Sequence, residues 1–94
     1  MDPISKGNEA QRLLDSPVVR DALQSIKSEI IEQWSATPAR DTEAREWVWR
    51  HYKVAEKFEA ILRGYVETGK LERIRMEEKE SFAAKAKRKF GIAA

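Results

Sequence analysis

All three prolines of this 94-residue chain lie within its first 38 positions, and only four glycines are spread along it. Proline interrupts helices and strands, and glycine supplies many of the tight turns. A chain so poor in both has few places to reverse, so its elements must be few and long. Strands are not among them, because no β-branched runs alternate between turn clusters. Charged residues are 36% of the chain and hydrophobic residues 41%. That balance is too apolar for disorder and too polar for a thick globule, and it is typical of long helices. The predicted fold is all-α: an antiparallel helical hairpin of two long helices plus a charged C-terminal helix, with coiled-coil-like packing, in a single domain over residues 1–94.

The hairpin is assigned to residues 16–69. Ser16 and Pro17 in "DSPVV" read as a helix start, Ser16 capping free amides and Pro17 fitting the first helical position. Val19, Ala22, Leu23, Ile26, Ile30 and Trp34 then recur at steps of three and four, one apolar stripe of a helix reaching about Ala36. Val18 and Ile31 lie off that stripe. Pro38 breaks the pattern, and Asp41 or Thr42 can cap the next helix, which is predicted to run to Thr68 and stop at Gly69 in a left-handed turn. Gly64 falls inside that helix, through either a neighbour's close approach or simple tolerance. Before the hairpin, residues 1–15 read as a loosely held leader in which "NEAQRLL" can form a short helix docking through Leu13 and Leu14. After it, residues 70–94 form a charged basic tail with a thin apolar stripe of Leu71, Ile74, Phe82 and Ala86.

Between residues 45 and 52, "REWVWRHY" gathers two tryptophans, a tyrosine and the only histidine. At about 100° per residue, helical phase divides this cluster. Trp47 shares a face with Ala44, Val48, His51, Val54, Ala55, Phe58, Ile61, Leu62 and Tyr65, and this seam is expected to form the hairpin core. His51, within it, is expected to be a buried imidazole bonded across the hairpin or a polar residue that fixes register, rather than a catalytic base. Trp49 points about 200° away, with Arg45, Lys53, Glu56, Ala60 and Arg63. An exposed tryptophan forfeits about 2–3 kcal/mol of burial. That face is therefore assigned as a protein interface, with the third helix, a second protomer or a ligand as the candidates to cover Trp49.

The residues argue against most chemistry. With one histidine and no cysteine, a zinc site and a disulfide framework are both excluded. "MEEKE" reads as a solvated face, and "ETGK" lacks the leading glycine and strand of a phosphate loop. No serine has a histidine placed to activate it. The expectation is a non-enzyme with no cofactor, no metal and no small-molecule substrate. No apolar run approaches the ~18 residues needed to span a bilayer. "MDPISKGNEAQ" has no signal-peptide pattern. No membrane partner is expected, and the location is the host cytoplasm where the chain is made, or a virion.

Charge is unevenly placed. Residues 70–94 hold eight Lys or Arg against four Glu, a net +4, so residues 1–69 carry −2 of the overall +2. Lys85, Lys87, Arg88 and Lys89 fall within five positions and are the candidate nucleic-acid contacts. Interleaved aromatics are few, so stacking recognition of single strands has little support.

Residues 13–71 carry the pattern "LLDSP", then "IIEQWSATPARDTEARE", then a long helix closing on "TGKL". This pattern resembles a family of small helical, mostly uncharacterised proteins of tailed bacteriophages, often encoded near head and packaging genes. The resemblance covers about two thirds of the chain and rests chiefly on "WSATPARDTEARE". It implies a virion-structure or morphogenesis role and supplies no catalytic residue. The expected function is a phage-encoded helical protein that self-associates or docks on a larger assembly. One alternative is a nucleic-acid-binding packaging or regulatory factor using the basic tail. Another is an inhibitor of a host defence protein, which no residue supports or excludes.

Overall fold

The computed structural model describes residues 1–90; residues 91–94, the end of the basic tail, lie outside the described residues. Among the described residues the chain is all-α: α1 (Pro3–Asp15), α2 (Pro17–Ala36) and α3 (Thr42–Phe90), with no strand. The junctions are set by capping side chains. The Asp2 carboxylate accepts from the Ser5 amide at 2.8 Å, with Pro3 at the first helical position. Ser16 is both the end of α1 and the start of α2. Its N–H donates to the Leu13 carbonyl at 3.2 Å, and its hydroxyl accepts from the Val19 amide at 3.4 Å. One residue thus satisfies orphan groups on two helices. Thr37 closes α2, its hydroxyl donating to the Gln33 carbonyl at 2.6 Å, and Asp41 caps α3 by accepting from the Ala44 amide at 3.1 Å.

Two expectations are corrected. The helix expected in residues 1–15 forms and docks through Leu13 and Leu14 as read, but it also packs Ala10 on Leu62 and Val66 of α3, so the leader is not loosely held. Nor does Gly69 stop a helix: α3 continues unbroken for 49 residues, so the separate C-terminal helix is its continuation. Both differences have one cause. A Cβ on Gly69 would lie 2.9 Å from the Pro3 carbonyl oxygen and 3.1 Å from the Gly7 Cα, and one on Gly7 would lie 2.8 Å from the Tyr65 carbonyl oxygen. The two glycines let the backbones of α1 and α3 touch. Around the crossing, Arg73 donates to the Asn8 side chain at 2.8 Å and the Lys6 ammonium sits 4.1 Å over the Tyr65 ring. Gly64, by contrast, has open space where a Cβ would go, so its presence in the helix is tolerance.

α2 meets the first half of α3. Ile30, Val48 and Ala55 form a second buried cluster with Tyr52 packed on it. Lys27 pairs with Glu59 at 2.7 Å, both side chains largely shielded. At the turn, the Arg45 guanidinium stacks 3.8 Å over the Trp34 ring and donates to the Thr37 carbonyl at 3.0 Å.

The molecule is a rod of 76 × 26 × 17 Å with a radius of gyration of 22.2 Å. Its long axis matches α3, whose 49 residues span about 73 Å at ~1.5 Å each. From Arg73 to Lys85 every side chain is exposed.

Candidate association surfaces

The face that α3 buries is one edge of the face that sequence phase assigns: of the predicted seam, Val48, Ala55 and Leu62 are buried. Val48, Ala55, Leu62 and Gly69 are buried at steps of seven, Val66 is buried between them, and Tyr52 and Glu59 are half-buried. Alternating steps of four and three therefore run from residue 48 to residue 69. Six others of the predicted seam, Trp47, His51, Val54, Phe58, Ile61 and Tyr65, have the same rhythm, offset by one residue, or about 100° around the helix. They face outward.

Trp47 is accordingly not a core residue but 56% exposed. His51 is also exposed. Its ring lies 3.8 Å from that of Trp47, and its Nδ1 sits 2.9 Å from the Trp47 carbonyl, which accepts from the Nδ1–H tautomer. The imidazole is held within its own helix rather than bonded across to α2. The physical reason for the offset is again close approach. Helices come together where side chains are small, and Ala55 and Gly69 lie on the buried line while the bulky aromatics lie beside it.

Trp47, Val54 and Phe58 instead form one wall of a groove of about 640 Å³ between α2 and α3. Leu23 and Ile26 form the other wall, over a floor of Ile30 and Ala55. Its polar groups stand apart: Glu29 and Gln33 on α2, Arg50 and His51 on α3. Ile26, placed by periodicity on the core stripe of α2, is half exposed here.

Trp49 opens on the opposite side of the α2–α3 pair and is 53% exposed. It belongs to a smaller apolar hollow with Ile31, Trp34 and Tyr52. Of the six residues assigned to this face, Trp49, Lys53 and Glu56 lie against one another, while Arg45 and Arg63 are engaged elsewhere. Arg45 is half-buried and occupied by Trp34 and Thr37. Lys53 lies 5.6 Å over the Trp49 ring and 3.3 Å from Glu56, while Arg63 pairs with Glu59 at 3.7 Å. Ala60 is exposed. Sequence phase overlooks Ile31 and Trp34 as neighbours of Trp49, since the pairing register of α2 against α3 is a tertiary fact. Steps of seven through Val48, Ala55, Leu62 and Gly69 are the signal that could have located the buried line.

A third candidate surface is the far end of α3. Lys85, Lys87, Arg88 and Lys89 are all exposed there, beyond the reach of α1 and α2. Where α1, α2 and α3 meet there is also a polar cleft of about 600 Å³. Asp15, Glu59 and Glu67 line it together with Arg20, Lys27, Arg63 and Lys70, so its charges are mixed. The Lys27 hydrogen bond holds the Glu59 carboxyl below its ordinary value, helped by the charges of Lys27 and Arg63 and opposed by burial. The same bond raises Lys27. Among the described residues no three His, Cys, Asp or Glu side chains converge as metal ligands, and no helix is long and apolar enough to cross a membrane.

No protein family model, curated protein or solved structure matches this chain.

Proposed function

We propose that this chain is a non-enzymatic association protein that self-associates or docks on a larger assembly. The observation that carries this reading is the amount of surface the fold leaves open. The chain exposes 7716 Å², whereas a compact monomer of its 10.9 kDa mass exposes roughly 5,600 Å². Among the described residues the buried hydrophobics are Ala10, Ile30, Val48, Ala55, Leu62 and Val66, and no large side chain is fully enclosed. Two tryptophans meanwhile stand half exposed on opposite sides. Contiguous apolar surface of this kind marks a contact surface. We read residues 16–69 as an antiparallel hairpin with coiled-coil-like spacing, completed by what it binds. The resemblance to small tailed-phage proteins extends the proposal to a virion or morphogenesis accessory acting in the host cytoplasm or carried in the particle.

Light scattering combined with collisional quenching of tryptophan tests the self-association half. An assembled chain gives a mass above 10.9 kDa with shielded tryptophans; a monomer with every tryptophan accessible contradicts it. For the docking half, the chain should be found in purified phage particles or their assembly intermediates by mass spectrometry. Its absence from both removes the virion role.

A second reading is favoured by the basic end of α3, which stands clear of the rest of the fold. In it, Lys85, Lys87, Arg88 and Lys89 contact phosphates of DNA or RNA. Affinity for a random duplex should then fall steeply with added salt, and alanine at those four positions should flatten that slope by about three to four. Undetectable binding at low salt ends this reading.

A further inference from the structure

The groove between α2 and α3 has the apolar walls and the charge pattern to receive a second copy of this chain. We infer that two copies pack groove to groove about a twofold axis parallel to the helices, so that α2 of each lies along the exposed seam of α3 of the other. This rests on the association reading and names its partner, its surface and its geometry.

α3 carries two adjacent seams of the same period. One, from Val48 to Gly69, is filled by α1 and α2. The other, from Trp47 to Tyr65, is open, and Val54 at its centre is 67% exposed. A helix with two adjacent seams is what a four-helix bundle uses, each helix contacting two neighbours. The groove takes the part of this seam from Trp47 to Phe58, 12 positions or about 17 Å at ~1.5 Å per residue, and beyond it Lys6 of α1 sits over Tyr65. Its α2 wall runs from Leu23 to Gln33, 11 positions or about 15 Å on the same scale, with the exposed Ile26 on it.

Charge then selects the axis. Glu29 lies on the α2 wall and Arg50 on the α3 wall. A twofold axis perpendicular to the helices would set α3 against α3, bringing the two Arg50 walls together. An axis parallel to the helices sets the α2 wall of one copy over the α3 wall of the other, so Glu29 faces Arg50 of the second copy, twice per dimer. Arg50 has only an exposed partner in its own helix, Glu46 at 2.8 Å, and can turn to another carboxylate. The four-helix bundle formed by α2 and α3 of two copies leaves both α1 helices and both basic ends outside.

Sedimentation equilibrium of the full chain over a range of concentrations tests this. Three variants serve, Val54→Glu, Glu29→Arg and Arg50→Glu, together with the double charge reversal, each checked for unchanged helix content by circular dichroism. The expected result is a wild-type dimer and a fully helical Val54→Glu monomer. Each single reversal should raise the dissociation constant about tenfold, from two rim ion pairs lost together, and the double reversal should recover most of it. A wild-type chain that stays monomeric overturns the second copy as occupant, while leaving docking on another assembly intact. A dimer that withstands Val54→Glu overturns the groove as its interface, while self-association through the Trp49 side survives. Single reversals that weaken the dimer without recovery in the double overturn the parallel axis.

Discussion

Gly64 and Gly69 stand five residues apart on α3 and respond oppositely to the same substitution. Nothing crowds Gly64, so Gly64→Ala should stabilise the fold by about 1 kcal/mol through helix propensity alone. Gly69→Ala gains the same propensity but drives a methyl group into the Pro3 carbonyl and the Gly7 backbone. A net loss of about 1–2 kcal/mol is expected once overpacking is set against that gain. Urea unfolding followed by circular dichroism measures both, and equal effects of like sign would contradict the close crossing. These glycines also mark where residue-level reading stops. Sequence places Gly69 at a helix end because glycine commonly sits there, and leaves Gly64 undecided. Which of them meets a neighbour depends on where α1 crosses α3, and the docking foreseen through Leu13 and Leu14 does not fix that crossing. Trp47 and His51 show a like limit: phase arithmetic groups them with Val48, Ala55 and Leu62 but does not tell which edge of that face is buried.

At the scale of elements, the starts of α2 and α3 were legible because capping chemistry is local. Ser16, Pro17 and Asp41 act where their residue types predict. Contacts between elements were not legible, and the Lys27–Glu59 pair is the clearest case, joining α2 to α3 with both side chains shielded. Its pH response follows from the directions of the two shifts. Glu59 is held below its ordinary 4.5, so its contribution is complete above that pH and is lost as pH falls through the lower, folded value. Lys27 is raised above its ordinary 10.5, so its contribution is complete below that pH and is lost as pH rises through the higher, folded value. Stability should therefore hold between these limits and decline in acid. Asp2, lowered by the Ser5 amide, and Glu9, lowered by Arg12, add to the same acid loss. Glu59→Gln should reduce the decline without abolishing it. An acid limb identical to wild type in urea midpoints across pH would show that the pair is not made in solution.

For the whole molecule, the all-α class was legible from the shortage of prolines and glycines. The rod shape was not, because it depends on α3 running straight through Gly69 to a basic end that α1 and α2 never reach. In a rod 76 Å long and 17 Å across its thinnest dimension the buried clusters stay small, and Trp47, Phe58 and Trp49 line grooves instead. The proposed association would cover those grooves. The most direct measurement is the mass of the full chain in solution against concentration, by sedimentation equilibrium. The account predicts a rise from 10.9 kDa toward twice that value, with loss of the rise in Val54→Glu. A mass that stays at 10.9 kDa at every concentration would contradict self-association.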